Sequence, residues 1–333
     1  MKKHNKTPYI LIFIAVSITF ILGISIFMIF EHRKIAKNII INNILLHSDD
    51  GIAYTIQKSW GNGLSPYETV GSCDFTSRKK FIELIDPKLH SLEIGPYFRP
   101  ALTGKYVKYF DILSKEELIK QANKSNFETN DIPNIDYVES LGDLSIIKEK
   151  FDVVFSSHNI EHQVNLVKHL NQVSDLLNDG GKFYLIIPDK RYCFDHFIAE
   201  TPLSEVLAVN EMNLEVHSLQ TILSTCESTN NVASYHWSGK PSEIIGKDLN
   251  CYKDNINNFR NAKETGDITL MLQMSSHKWR FTPQSFSYII DSLNKMNLID
   301  LNIEKIYCTK PKTQEFAVIL YKTSKSESSS DHY

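Results

Sequence analysis

Two short apolar runs flank a segment that has the spacing of an amphipathic helix. The runs are FDVVF at residues 151–155 and KFYLII at residues 182–187. Between them, Leu166, Leu170, Val173 and Leu177 recur at intervals of four, three and four residues, which places them on one face of a helix. Strands joined by a helix lie parallel, and strands this apolar are typical of a covered parallel sheet. The sequence therefore predicts a βαβ unit whose helix ends at Gly180 and Gly181.

Strands and helices alternate on both sides of this unit. Short strands are predicted at residues 91–94, 106–110, 137–138, 298–307 and 315–321, and a helix is predicted around Phe81. Ser114 and Glu117 have the spacing of a capping box, and Thr282 precedes Pro283 as the cap of another helix. Residues 196–276 are polar and weakly periodic. The pattern predicts an α/β fold, a doubly wound and mostly parallel sheet with helices on both faces and an inserted cap at 196–276.

The N-terminal region contains no charged residue from position 9 to position 30. These 22 residues would span roughly 33 Å as a helix, enough to cross a hydrocarbon core of about 30 Å. A signal peptide is the alternative, because Lys2, Lys3 and Lys6 precede the run; however, the run is too long and no small-residue cleavage site follows it. We expect one transmembrane helix within residues 1–36 and a juxtamembrane segment at 37–75. Basic residues flank both sides, so the positive-inside rule does not choose an orientation.

Composition excludes several other classes of protein. The 333 residues include 36 basic and 39 acidic side chains, so the net charge of −3 gives no general attraction to nucleic acid. A hydrophobic content of 42% is too high for a disordered chain and too low for a multi-span membrane protein. The five cysteines form no CxxC pair, which predicts no disulfide framework or zinc ribbon and favours a reducing compartment. Residues 323–333 are predicted to form a solvated tail, and the oligomeric state is left open.

Polar residues and glycines follow the predicted strands. Ligands of an open parallel sheet bind beyond the carboxyl ends of its strands. Gly95 follows the first strand, where a glycine lets the backbone approach a ligand, and Asp111 follows the second, where a carboxylate can accept hydrogen bonds from two ribose hydroxyls. This layout is typical of an adenosine site.

Four segments carry a resemblance to a known family. They are LEIGP at 92–96, FDVVFSSHNIEH at 151–162, LLNDGGKFYLIIPDKRYCFD at 176–195 and HKWRFTPQSF at 277–286. Together they resemble class I S-adenosylmethionine-dependent methyltransferases, and more narrowly the bacterial methyltransferase-domain proteins with SHxIEH and IPDKRYxFD segments. The resemblance covers about residues 76–322, and it implies a Rossmann-like sheet and S-adenosylmethionine as cofactor.

The resemblance also implies roles for individual residues. Glu93, Gly95 and Pro96 would lie at the methionine end of the cofactor, Asp111 at the ribose, Asp143 and Leu144 at the adenine, and the backbone at Ser157 on the pocket floor. Two departures from the family pattern stand out. Pro96 removes a backbone donor from the glycine loop, and only residues 97–105 separate the first two strands, which is short for a crossover that carries a helix.

His158, Glu161 and His162 are the candidate catalytic residues. The two histidines are four residues apart, a spacing seen in metal pairs, but no third ligand is evident nearby in the sequence, and no metal is predicted. A histidine can act as general base for a substrate hydroxyl, and the alternative is that Glu161 or His162 fixes the start of the following helix.

Three further residues are candidates for substrate binding. Lys190 and Arg191 can either steer an anionic substrate or form an exposed pair in a loop. His277, next to Trp279 in the chain segment HKW, can either support a sugar ring or belong to an aromatic core under the cap.

These features predict a membrane-anchored methyltransferase that transfers a methyl group to an oxygen or nitrogen of a small molecule, glycan or glycolipid. Its domain would face the cytosol, where the cofactor is made. The alternative is a degenerate methyltransferase fold that serves as a binding or scaffold module, which the atypical glycine loop favours.

Overall fold

Seven strands form one mixed sheet in the computed structural model, which describes residues 77–229, 233–239, 243–266 and 277–323. The strands are β1 (Ser91–Ile94), β2 (Val107–Asp111), β3 (Tyr137–Val138), β4 (Phe151–Ser157), β5 (Leu177–Pro188), β6 (Leu301–Tyr307) and β7 (Glu315–Lys322). Their order is β3-β2-β1-β4-β5-β7-β6. The pairings among β1 to β5 are parallel, whereas β7 runs antiparallel to both β5 and β6. The prediction of a mostly parallel α/β sheet is confirmed.

The described residues contain eight α-helices. They are α1 (Arg78–Ile82), α2 (Lys115–Lys124), α3 (Leu166–Leu176), α4 (Leu203–Glu211), α5 (Leu219–Ser224), α6 (Ala233–Trp237), α7 (Asn250–Thr265) and α8 (Pro283–Lys295). Ser114 and Glu117 form a reciprocal capping box at the start of α2. Thr282 caps α8, with Pro283 as its first residue. Both predicted helix starts are confirmed.

The predicted role of Gly180 and Gly181 at the end of a helix is wrong. Helix α3 ends at Leu176, and β5 begins at Leu177 and continues through both glycines. A Cβ atom on Gly181 would lie 2.8 Å from the carbonyl oxygen of Asn178 and 3.2 Å from that of Asp152. The glycine therefore permits the close approach of β4 to the start of β5, where the register of the pairing shifts.

Alternate residues of the central strands supply the two faces of the sheet. Val154 and Leu185 belong to the larger core, together with apolar residues of α3 and α8. Phe155 and Ile186 belong to a second core on the opposite face, which includes Phe81 of α1. Because both faces are buried, each central strand contains a continuous apolar run, residues 153–155 in β4 and residues 183–187 in β5, as the sequence indicated.

The described part of the segment 196–276 is largely helical and contains α4 to α7. Val206 and Val209 of α4 are buried in the main core, so this helix is part of the sheet domain. Cys226 and Cys251 form a disulfide bond between the end of α5 and the start of α7. The sequence predicted no disulfide framework and did not indicate this single bond, because the packing of α5 on α7, rather than a local motif, brings the two cysteines together.

Some predictions fall outside the described residues. They concern the membrane span at 9–30, the juxtamembrane segment at 37–75 and nearly all of the tail at 323–333. None of the helices that the structure describes has both the length and the apolar character needed to cross a membrane.

Candidate functional site

The chain reverses its direction of winding at β1. It leaves β1 toward β2 on one side, and it later returns to place β4 on the other side. Ile94 at the end of β1 is paired with Phe110 of β2 and Ser156 of β4, so the three carboxyl ends lie at one edge. A ligand crevice forms at such a switch point in open α/β sheets. We refer to the turn at Gly95, the end of β2 at Asp111 and the end of β4 at Ser157 as the switch-point edge.

Gly95 makes the close approach of β1 and β4 at this edge possible. Its φ is +70°, and a Cβ atom there would lie 2.8 Å from Nδ2 of Asn159. Its N–H donates to the carbonyl of Phe110 at 2.8 Å, which holds the turn against β2. Both the backbone conformation and the lack of space require glycine at this position.

Asp111 places a buried carboxylate at the switch-point edge. Its side chain accepts a hydrogen bond from the N–H of Leu113 at 3.0 Å, and burial raises its pKa above the ordinary value. Tyr97 lies close enough for the charge of Asp111 to add to the effect of burial in raising the tyrosine pKa. The Tyr97 ring is 46% exposed and stacks on Phe98 at 3.7 Å. A carboxylate and a partly exposed aromatic ring therefore adjoin the turn after β1, and both suit a nucleoside.

Glu93 has a different environment from the one that the resemblance implies. Its carboxylate accepts hydrogen bonds from the N–H groups of Ala101 and Leu102, each at 2.8 Å. Burial raises its pKa to about 7, although the two backbone donors act in the opposite direction. These contacts stabilise the helix-free connection between β1 and β2. Contact with a cofactor stays a prediction for Glu93 and for the buried Pro96.

Asp143 and Leu144 lie at a 3₁₀ turn, Leu144–Ile146, beyond β3. Asp143 accepts hydrogen bonds from the N–H of Ser145 at 2.9 Å and from Nε2 of Gln172 at 2.5 Å. The bond from Ser145 is the main cause of the lowered pKa of Asp143. Leu144 is buried in the main core. The adenine contacts predicted for both residues stay predictions.

The three candidate catalytic residues lie together after β4, and His277 joins them. Glu161 and His162 belong to the 3₁₀ turn Ile160–His162, and His158 enters that turn with a φ of +51°. The carbonyl of Glu161 accepts the N–H groups of Lys278 at 2.8 Å and Trp279 at 3.0 Å, which positions His277 beside the turn. We call Glu161, His158, His162 and His277 the Glu161 cluster.

The carboxylate of Glu161 is fully buried among imidazole nitrogens. Its Oε1 lies 3.7 Å from Nδ1 of His158 and 3.7 Å from Nε2 of His277. Nε2 of His162 is 3.8 Å from the same oxygen. Neither carboxylate oxygen has a hydrogen-bond partner among the described residues.

Two further carboxylates orient the histidines of this cluster. Nδ1 of His277 donates to Oδ2 of Asp195 at 2.5 Å, so in the neutral ring Nε2 is left as the acceptor facing Glu161. Nε2 of His158 is 2.8 Å from Oε2 of Glu315, which also pairs with Arg78 at 2.6 Å. Burial alone would raise the pKa of Glu315, but the bonds from His158 and Arg78 lower it to about 2.

Lys190 and Arg191 are engaged within the chain. Arg191 forms a bidentate pair with the buried Asp189, with Nε–Oδ1 at 2.9 Å and Nη2–Oδ2 at 2.6 Å. Nζ of Lys190 donates to the carbonyl of His196 at 3.2 Å. The structure therefore places both side chains in the turn after β5, with most of the charge of Arg191 compensated, and their contact with substrate stays a prediction.

Sequence reasoning missed Asp195 and Glu315 as members of the site. Asp195 ends the quoted segment IPDKRYCFD, so its position was available but its partner, 82 residues away, was not. Glu315 begins an apolar strand, and no local signal marks its contact with His158, 157 residues earlier. His277 was predicted at the substrate; the structure buries it beside Glu161, and its contact with a substrate stays a prediction.

Comparison with known proteins finds a family model that matches part of the chain. A family model described as a methyltransferase domain matches residues 95–185, less than a third of the chain. The matched segment begins at Gly95 and includes Asp111, Ser157 and the turn that carries Glu161. A search of curated proteins found no significant match.

Solved structures resemble the chain at low identity. The CcbJ methyltransferase from Streptomyces caelestis is 10% identical, with 80% of this chain and 100% of that chain covered and a TM-score of 0.38. A Rhodobacter sphaeroides protein described as a zinc-dependent alcohol dehydrogenase is 13% identical, with 78% and 94% covered and a TM-score of 0.39. The mitomycin 7-O-methyltransferase MmcR is 11% identical, with 70% of this chain covered and a TM-score of 0.31. The chain spans about half, 48%, of the length of MmcR.

Proposed function

We propose that this protein is an S-adenosylmethionine-dependent methyltransferase whose cofactor binds at the switch-point edge. The observation that carries the proposal is that the methyltransferase-domain match spans residues 95–185, the segment that supplies Gly95, Asp111 and Ser157 to one edge of the sheet. The residues present suit the cofactor. The buried carboxylate of Asp111 can accept hydrogen bonds from ribose hydroxyls, and the turn at Gly95 lies at the same edge of the sheet.

The chain's own residues would act mainly by positioning. S-adenosylmethionine supplies an electrophilic methyl group, so the protein has to align an acceptor atom with it and exclude water. In the proposed mechanism, a histidine of the Glu161 cluster removes the proton when the acceptor is a hydroxyl. His158 and His162 suit this role better than His277, because their side chains are 30% and 35% exposed whereas that of His277 is 4% exposed.

The acceptor that we propose is an oxygen or nitrogen of a small molecule, a glycan or a glycolipid. The net charge of −3 gives no attraction to nucleic acid. The charge-free run at residues 9–30 supports anchorage in a membrane, where a glycolipid would be accessible. We propose that the domain faces the cytosol, where the cofactor is made. The disulfide between Cys226 and Cys251 argues for the opposite face, since disulfides persist in oxidising compartments.

Titration calorimetry of the full-length protein with S-adenosylmethionine tests the proposal. We expect saturable binding, and we expect Asp111→Asn to weaken it at least tenfold, because a charged acceptor typically contributes about 1.5–3 kcal/mol. Asp131→Asn is the matched control, since Asp131 is an exposed aspartate. If the folded wild-type protein bound no S-adenosylmethionine, the proposed methyltransferase activity would be excluded.

A binding or scaffold module on the same fold is the second candidate function. It is supported by Glu93, whose carboxylate is occupied by the N–H groups of Ala101 and Leu102, and by Pro96, which offers no backbone donor in the turn. This candidate predicts that the folded protein does not bind S-adenosylmethionine, and the calorimetric experiment therefore separates the two.

A further inference from the structure

We propose that Glu161, His162 and His277 bind a divalent transition-metal ion, and that zinc is the expected occupant. The ion would lie in the Glu161 cluster, whereas the cofactor is assigned to the switch-point edge, so zinc binding and cofactor binding are tested separately. It starts from the Glu161 cluster, where a buried carboxylate faces several imidazole nitrogens.

The environment of the Glu161 carboxylate favours a bound cation. The side chain is 0% exposed, and neither of its oxygens has a hydrogen-bond partner among the described residues. Burying an ionised carboxylate without compensation is very unfavourable, and buried charges in proteins are paired or coordinate metals. The imidazole nitrogens stand 3.7–3.8 Å from Oε1, which is beyond hydrogen-bond distance. A cation between these atoms would supply the missing contact.

The spacing of the ligand atoms is close to that of a zinc site. One atom each from Glu161, His162 and His277 can be chosen so that all lie within 4.8 Å of one another. A tetrahedral zinc site with bonds of about 2.1 Å places its ligand atoms about 3.4 Å apart. The distances of 3.8 Å from His162 and 3.7 Å from His277 to Oε1 of Glu161 differ from that value by a few tenths of an ångström. Small side-chain rotations would therefore close the site around an ion.

A neighbouring carboxylate orients one of the proposed ligands. A metal-binding histidine usually donates its other ring nitrogen to a carboxylate or carbonyl, which fixes the tautomer. Nδ1 of His277 makes this bond with Asp195, so its Nε2 carries the lone pair toward Glu161. Asp195 is itself held near Arg280, with Nε at 3.8 Å from Oδ1.

The identity of the ligands indicates the class of metal. Two imidazoles and one carboxylate form a set found in catalytic zinc sites, which keep a fourth position for water or substrate. Imidazole also favours transition metals over magnesium or calcium. The proposal assigns the fourth position to water, which leaves His158 outside the set of ligands.

A second group of potential ligands shares His277 and has to be distinguished. Cys193, Asp195 and His277 also offer atoms within 4.8 Å of one another. In that group Asp195 already accepts hydrogen bonds from Nδ1 of His277 and from the Cys193 thiol. We therefore assign the ion to the Glu161 side of His277.

Zinc titration of the chelator-treated full-length protein, in competition with a chromophoric chelator, tests the proposal. We expect one tightly bound zinc ion per chain. Loss of an outer-shell partner typically weakens metal binding about 10- to 100-fold, and we expect Asp195→Asn to have an effect of this size. Glu161→Gln and His277→Gln each remove a direct ligand, so each should weaken zinc binding by more than that. His90→Gln is the matched control, because His90 lies outside the cluster and pairs with Glu149. Thermal melts establish that each variant is folded.

Cobalt substitution of the wild-type protein gives a test that needs no variant. The expected spectrum has the visible bands of a four- or five-coordinate cobalt ion and lacks a sulfur-to-cobalt charge-transfer band, and Cys193→Ser should leave it unchanged. A strong sulfur band that disappears in Cys193→Ser would move the ion to the other group and overturn the assignment. Wild-type protein that binds zinc no more tightly than folded Glu161→Gln would overturn the proposal altogether.

Discussion

Gly95 is the residue on which the shape of the switch-point edge depends most directly. Gly95→Ala would place a methyl group at a φ of +70° and 2.8 Å from Nδ2 of Asn159. The left-handed conformation alone costs an L-residue about 1–2 kcal/mol, and displacement of Asn159 adds to this. We expect the substitution to lower the free energy of unfolding by about 2–4 kcal/mol, measured by urea denaturation.

Gly180 provides the matched control for this prediction. Its φ is +73°, but a Cβ atom there would meet nothing within 4 Å. Gly180→Ala should therefore show only the backbone cost of about 1–2 kcal/mol. Equal effects of the two substitutions would show that the contact with Asn159 does not restrict the turn.

His169 of α3 makes the stability of the fold depend on pH. The ring is buried, neither nitrogen has a hydrogen-bond partner among the described residues, and burial lowers its pKa to about 4 from 6.5. Above pH 6.5 the ring is neutral in both the folded and unfolded states. As the pH falls from 6.5 to 4, the unfolded state binds the proton first, so the free energy of unfolding falls by up to about 1.4 kcal/mol per pH unit, about 3 kcal/mol in all.

His169→Leu should remove this contribution. Leucine fills a similar volume and carries no polar atom, so we expect a shallower loss of stability between pH 6.5 and 4, measured by chemical denaturation at several pH values. His90→Gln, at a half-buried position, should retain the wild-type slope. If the slope of His169→Leu equalled that of the wild type, protonation of His169 would not be coupled to unfolding.

At the scale of elements, the disulfide covalently joins two helical parts of the segment 196–276. Cys226 and Cys251 are 25 residues apart, and closing a loop of this size stabilises a fold by about 3–4 kcal/mol in the chain-entropy model. We expect a reductant to lower the free energy of unfolding by about that amount. The double variant Cys226→Ala with Cys251→Ala should be insensitive to reductant, whereas Cys193→Ala should keep the wild-type response. Stability that does not change on reduction would argue against a role of the bond in holding α5 to α7.

The elements that follow from local patterns were predictable from the sequence. The spacing of Leu166, Leu170 and Val173 predicted α3, and the capping residues Ser114 and Thr282 predicted the starts of α2 and α8. The strands were predictable because both faces of the sheet are buried. Gly181 misled the prediction, because a glycine that ends a helix and a glycine that lets two strands approach have the same local signature.

The site was predictable only where its residues follow strands. Asp111 and His158 were identified because they stand at the ends of predicted strands, and Glu161 was identified through the resemblance. Asp195 and Glu315 contact the histidines through tertiary packing, which no local spacing encodes. The same applies to Cys226 and Cys251, whose pairing depends on the position of α7.

At the scale of the whole molecule, the orientation of the domain in the membrane determines the expected oxidation state of Cys226 and Cys251. A domain that faces the cytosol should have two reduced thiols, and a domain in an oxidising compartment should have the disulfide. In the proposed cytosolic orientation, Cys226 and Cys251 are reduced in the cell and react with a permeant thiol reagent. Labelling in intact cells, followed by mass spectrometry of the peptides that contain these cysteines, measures this state. Protection of both residues until a reductant is added would place the domain in an oxidising compartment and contradict the cytosolic orientation.

Binding of S-adenosylmethionine at the switch-point edge can be observed in a crystal structure of the full-length protein with S-adenosylhomocysteine. We expect the ribose hydroxyls to lie within hydrogen-bond distance of Asp111, and the rest of the product to lie between the turn at Gly95 and the end of β4. A product bound elsewhere on the protein, with neither a direct nor a water-mediated contact to Asp111, would show that the cofactor site has been assigned wrongly.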